Sequence, residues 1–189
     1  QIEEVLNLKK FPIQQNLTLL YDITQRVFRQ GRRYKVVNNV IENDIDISLY
    51  GNKNWLEWKA FIPYYKRQLT SQLEMNNSYN SHSILLHDTS IPHFRIFDSM
   101  AAGMIALKPN CNNYGIEDEW KYLNFNMDEH IFSYEINNFN ETKNKLDKLT
   151  SSNILDLKYN IRDKITSQHT WKNRMEKILN DVKKVKLYD

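Results

Sequence analysis

Leu17 to Tyr21 (LTLLY) is a short, mostly apolar run that predicts a first strand. Gln25 to Asn43 then sets Val36, Val37, Val40 and Ile41 at helical spacing among basic residues, which predicts a helix after it. Ile45 to Tyr50 (IDISLY) is apolar and β-branched and is punctuated by Gly51-Asn52, as a second strand closed by a turn would be. In Ile62-Pro63-Tyr64-Tyr65 the proline suits the first turn of a helix running towards Asn76. Ser83 to His87 (SILLH) reads as a buried central strand. Phe94 to Ala102 carries Phe94, Phe97 and Ala101 on one side with Ile96 and Met100 close by, and Gly103 stands where a helix-ending glycine belongs. Met104 to Leu107 (MIAL) and Ile131 to Tyr134 (IFSY) predict two more strands around a polar loop. Asn140 to Leu149, Ile154 to Ile165 and Thr170 to Val185 predict closing helices, the last with the clearest stripe: Trp171, Met175, Ile178, Leu179 and Val182.

Strands alternating with helices over most of the chain imply right-handed crossovers and a parallel sheet covered on both faces, a doubly wound α/β architecture. No repeat or low-complexity tract divides it, so residues 1–189 are expected to form one domain. Ligands of such sheets bind beyond the carboxyl ends of the strands, where helix N-termini point.

Composition narrows the chemistry. The 189 residues contain four glycines and four prolines, too few for a long Gly-rich phosphate loop, so any phosphate must be held another way. A formal charge of +3 is too small to argue for nucleic-acid binding. Cys111 is the single cysteine, which excludes an intrachain disulfide or a CxxC metal site and leaves a half-buried loop residue as its ordinary reading. His82, His87, His93, His130 and His169 make no metal-ligand pattern, and no metal is expected. No apolar run approaches the roughly 18 residues that cross a bilayer. Gln1 to Lys10 also lack the apolar core of a signal peptide, so a cytoplasmic location is expected. The chain opens on Gln1 rather than Met, as a segment of a longer chain would.

The candidate site follows SILLH, where His87-Asp88-Thr89-Ser90-Ile91-Pro92-His93 leads into the helix from Phe94. A helix start presents unpaired amides and about half a positive charge, a place for an anion without a Gly-rich loop. His93 beside it is a candidate phosphate donor. Arg95 and Asp98 lie three residues apart on one face. Asp98 needs hydrogen-bond donors in an otherwise apolar helix, and either Arg95 or a pair of vicinal hydroxyls such as a ribose would serve. Upstream, Arg26, Arg29, Arg32, Arg33 and Lys35 form a basic cluster; a solvated helix face is the usual fate of such a run, with Arg26 or Arg29 the candidates to reach the site. Trp55, Trp58, Tyr64 and Tyr65 form an aromatic patch that could cover a base or sugar but is read chiefly as core. The Lys-rich end of the last helix, with Lys183, Lys184 and Lys186, fits either a membrane-facing helix or, more ordinarily, the solvated edge of a packed one.

The run His93-Phe94-Arg95-Ile96-Phe97-Asp98-Ser99-Met100-Ala101-Ala102-Gly103, followed by a short strand, resembles the R-x-F-E-x-x-A-x-G segment of GT-B glycosyltransferases, in particular the spore-maturation-protein-like ones. His169-Thr170-Trp171-Lys172-Asn173-Arg174 is similar to the H-T-Y-x-x-R pattern late in that family, and the resemblance runs over about residues 17 to 185. It implies the Rossmann-like, C-terminal half of a GT-B fold, with the acceptor-binding half outside these residues. It further implies that Asp98 holds the ribose of a nucleoside diphosphate sugar, and that Phe94 and Arg95 at the helix start, with an arginine of the first loop (Arg26 or Arg29), face its diphosphate. Retaining members of the wider group carry a second acid eight positions earlier; here that position is Ser90, with Asp88 near enough to substitute. The implied activity is transfer of the sugar to an unknown glycan, protein or lipid acceptor, without cofactor or metal. A non-catalytic nucleotide-binding module and a structural or partner-binding α/β domain are the alternatives.

Overall fold

The computed structural model describes residues 17–110 and 119–185. Cys111 and most of the polar loop after it lie outside them, as does Lys186. The chain opens with helix α1 (Leu17–Glu42), so the strand expected at LTLLY is instead its first turns. A short run rich in leucine is locally as compatible with helix as with strand, and no proline interrupts it before the Val36–Val40 stripe. No neighbouring strand covers it either, since Tyr21 remains 67 % exposed. At its other end α1 closes in a Schellman motif: Asp44 takes φ +56°, its amide donates to Ile41 O, and the Ile45 amide donates to Val40 O.

The predicted strand at Ile45–Tyr50 is reduced to β1 (Leu49–Tyr50), because Ile45 and Ile47 are spent as packing against the main core. Pro63 does not start a helix towards Asn76. It sits in the second of two 3-10 helices, Lys53–Glu57 and Lys59–Tyr64, which lead to strand β2 (Tyr65–Arg67), a strand the hydrophobic pattern does not reveal. Helix α2 (Gln72–Ser81) begins later, where Ser71 and Glu74 form a reciprocal capping box. β1 and β2 pair in parallel. At the β1 end Gly51 (φ +136°) accepts a hydrogen bond from the Tyr65 hydroxyl and leaves room for the Trp55 indole, which a Cβ there would meet at 3.2 Å.

The remaining elements are β3 (Ile84–Leu86), α3 (Phe94–Ala101), β4 (Ile105–Pro109), the one-turn α4 (Glu119–Tyr122), β5 (Ile131–Tyr134), α5 (Phe139–Asp147), α6 (Ser151–Gln168) and α7 (Trp171–Val185); all but α4, which lies in the expected polar loop, follow the predicted order. β3, β4 and β5 form a parallel sheet in that order, in a mixed α/β, Rossmann-like fold. β4 is therefore central among them and fully buried, whereas β3, expected to be the central strand, is an edge of the three and only half-buried. Gly103 at φ +84° ends α3 as expected, with Gly103 N donating to Met100 O and Met104 N to Ser99 O. The main core joins Val36 and Val40 of α1, Ile96 and Met100 of α3, the β4–β5 ladder, Trp120, Phe125, and Ile161 and Ile165 of α6. A smaller cluster gathers Val37, Leu49 and Phe61, with Trp55, Trp58 and Tyr64 against it, so the aromatic patch is packing. The stripe of α7 is the exception: no side chain of this helix is buried.

Candidate functional site

Helix α1 is tied to the loops leaving two strands of the sheet. Arg33 Nε donates to Asp88 Oδ2 at 2.6 Å just after β3, while Asn39 donates to Ile136 O at 2.6 Å and Lys35 bonds Asn137 just after β5. Residues 33 and 39 lie about 9 Å apart along a helix, and two strand spacings are about 10 Å, so this part of α1 crosses the carboxyl edge of the sheet. The arginines reach that edge because Val36, Val37 and Val40, one turn further on, are buried and set the helix's rotation.

Burial by itself would raise the Asp88 pKa. The hydrogen bond and charge of Arg33, with help from His87 and Arg32, outweigh that effect and hold the carboxyl below its ordinary value. Asp88 is thus an anion engaged by one arginine. Arg32 lies within electrostatic reach of the same carboxylate, yet its Nε is buried with no hydrogen-bond partner. The loop is held from behind: the Tyr134 hydroxyl donates to His87 O and the Trp120 indole N–H to Ser90 O, each at 2.8 Å. Burial, and then the Asp88 charge, pushes the Tyr134 phenol upward, so it stays a neutral donor.

His93 caps α3, its Nδ1 accepting the Arg95 amide at 3.2 Å. An acceptor Nδ1 requires the proton on Nε2, which leaves that N–H as a donor. The His93 ring lies between His87 at 5.5 Å and Phe94 at 4.2 Å between ring centroids. Phe94 is exposed, and the Arg95 guanidinium lies 5.8 Å from its ring. The amide of Arg95, expected to face an anion, is therefore occupied by the cap. No hydrogen bond or ion pair joins Arg95 to Asp98 or either of them to another described side chain, so the structural pair that their spacing allows is not formed. Burial, followed by the Asp98 charge, raises the Tyr79 phenol, which puts that carboxylate within reach of α2.

Of the residues singled out in the sequence, His93, Phe94 and the Ser90 backbone come together with His87 and Asp88. Arg26 does not: it pairs with Asp22 at 2.8 Å on an exposed stretch of α1. Arg29, also exposed, stands one turn before Arg33. Both share a face with Arg33 but lie roughly 6 to 10 Å further along the axis, past the sheet edge. The structure brings in Arg32 and Arg33 instead, and the signal that finds them is their spacing of four from Val36 and Val37. A second feature comes from the His169-Thr170-Trp171 segment, where the His169 ring stacks on Phe125 at 4.7 Å and the Arg174 guanidinium covers Phe97 at 4.6 Å. This segment anchors the end of α6 against α3. A cleft of about 310 Å³ lies apart from all of this, between the turn entering β5 and one face of α6, and is lined among others by Asp128, Glu129, His130 and Asp163. Its residues Asp128 to His130 precede β5, at the amino end of that strand, whereas the donors converge at the carboxyl edge. Among the described residues no group of three or more His, Cys, Asp or Glu is placed to hold a metal ion.

What converges at the edge is a set of anion-binding groups: an orphaned arginine donor, a second arginine already neutralised, a neutral imidazole N–H and a helix start. The histidines also set a pH dependence. Burial is the largest cause lowering His87, His93, His130 and His169 below the ordinary 6.5. The unfolded chain then binds more protons than the folded one on the acid side of that value, so stability is complete above it and falls as pH drops through it. The Asp88 contribution is lost only at lower pH, below its ordinary 3.8. Thermal midpoints are expected to fall steadily between about pH 7 and pH 5. A midpoint that rises on acidification in a melting series would contradict this assignment.

A family model described as glycosyl transferase-like matches residues 29–180. No curated protein and no solved structure matches the chain. None of the described helices is long and apolar enough to cross a membrane.

Proposed function

Since the chain belongs to the glycosyl transferase-like family, we propose that it is the donor-binding part of a GT-B enzyme of the spore-maturation-protein-like branch, taking a nucleoside diphosphate sugar and passing the sugar to an acceptor held elsewhere. The observation that carries the reading is the buried, unpartnered Nε of Arg32, within electrostatic reach of Asp88 in the loop that leads into α3. A buried donor without an acceptor is costly and uncommon, and a diphosphate oxygen at the carboxyl edge of the sheet would satisfy it as the guanidinium turns outward to meet it. The His93 Nε2–H and the Phe94 amide supply further donors to the same anion, the Arg95, Ile96 and Phe97 amides being bonded to His93. Asp98, free of protein partners among the described residues, accepts the two ribose hydroxyls and orients the donor rather than moving a proton. Transfer proceeds as these groups stabilise the charge that develops on the leaving diphosphate. The Arg32 guanidinium supplies the positive charge and the neutral His93 imidazole a hydrogen bond, and no metal is needed.

Titration calorimetry with uridine and guanosine diphosphates tests this. Binding is expected to persist in the presence of a chelator. Asp98→Asn is expected to weaken it about tenfold, the value of hydrogen bonds to a charged acceptor, with an almost unchanged thermal midpoint. Absence of binding at millimolar nucleotide overturns the donor-site reading, and equal affinity of the variant and the parent overturns the ribose assignment.

A further inference from the structure

Helix α7 keeps an apolar stripe that nothing in the described structure covers. Trp171, Met175, Ile178, Leu179, Val182 and Val185 are between 48 and 77 % exposed. At about 100° per residue they fall within one face, with Lys172 and Lys183 along one border and Arg174 along the other. The helix carries five basic against two acidic side chains, and each acid lies near a lysine, Lys172 to Glu176 at 4.0 Å and Lys184 to Asp181 at 3.8 Å. Its base is fixed by Arg174 on Phe97, so the stripe is presented from the body of the domain.

We propose that α7 docks in plane on an anionic lipid surface. Fifteen residues give a stripe roughly 22 Å long, too short and too polar to span a bilayer. An apolar face with Lys172 and Lys183 along its free border, the Arg174 border being turned onto Phe97, matches a planar boundary, with acyl chains below and phosphates at border level. Trp171 at one end of the stripe is the residue type suited to that boundary. The excess of basic side chains on the helix is the charge complement of such a surface and selects it over a neutral partner. This attachment is independent of the nucleotide reading.

Co-sedimentation of the chain with vesicles tests it, using equimolar phosphatidylcholine and phosphatidylglycerol against phosphatidylcholine alone. The chain is expected to pellet with the anionic vesicles at low salt and to be released at about 0.5 M salt. Ile178→Asp with Leu179→Asp is expected to reduce binding by more than about tenfold. Lys172→Gln with Lys183→Gln is expected to reduce it about twenty-fivefold, near fivefold for each cation removed from an anionic surface. Both pairs lie on exposed positions, and circular dichroism checks that the fold is kept. Absence of pelleting, equal pelleting with neutral vesicles, or indifference to both pairs of changes overturns the proposal. So does self-association in sedimentation velocity that Ile178→Asp abolishes, since the stripe would then meet a second copy of the chain.

Discussion

Trp120→Ala is expected to destabilise the domain by about 3–5 kcal/mol, which for a chain of this size lowers the thermal midpoint by roughly 10 °C. Trp120 is fully buried, stacked on Phe97 at 5.6 Å and edge-on to Phe125 at 5.3 Å. Alanine removes both ring contacts and leaves a cavity between α3 and the segment entering β5. It also strips the Ser90 carbonyl of its donor, and that carbonyl belongs to the loop that leads into α3. Trp120→Phe separates the two effects: the ring packing survives, the N–H is lost, and the cost falls to about 1–2 kcal/mol. Differential scanning calorimetry of both variants reads the difference. A midpoint within a degree or two of the parent for Trp120→Ala would mean that the aromatic cluster does not hold the Ser90 loop.

Arg32→Met is expected to act in the opposite sense on stability and to have the larger effect on binding. Methionine keeps the aliphatic packing of the arginine and removes a buried donor that has no protein acceptor, so the free domain should be as stable as the parent or slightly more so. Nucleoside diphosphate affinity should fall by about ten- to a hundredfold, the worth of a charge-assisted hydrogen bond to a phosphate oxygen. Arg26→Ala is the control, because its side chain is held by Asp22 away from the sheet edge, and it should leave affinity unchanged. Loss of stability without loss of affinity in Arg32→Met would identify Arg32 as a structural cation serving Asp88.

The periodic features of the chain were readable in advance where local chemistry and tertiary packing agree. Gly103 ends α3 because a left-handed residue is needed at that point, and a glycine after an apolar helical run announces it. IFSY becomes β5 over the same four residues, since a short β-favouring run between polar segments has few other fates. LTLLY misled because four or five residues do not distinguish a helix turn from a strand, and burial, which would decide, depends on distant neighbours. Tyr65–Arg67 carries no apolar pattern, and it is a strand only because β1 lies alongside to pair with it.

The candidate site divides along the same line. The sequence by itself determined a parallel α/β chain, a helix start following SILLH and an acid at Asp98 on that helix, because each depends on residues within a few positions of one another. Which arginine meets the loop was decided by tertiary structure alone. Arg33 and Asp88 are 55 residues apart, and their contact exists because burial of Val36, Val37 and Val40 sets both the rotation of α1 and its position along the sheet edge. Tertiary structure also left the stripe of α7 uncovered, although its periodicity alone reads as that of a packed helix. Periodicity specifies which face of a helix is apolar, and the path of the rest of the chain determines what, if anything, that face meets.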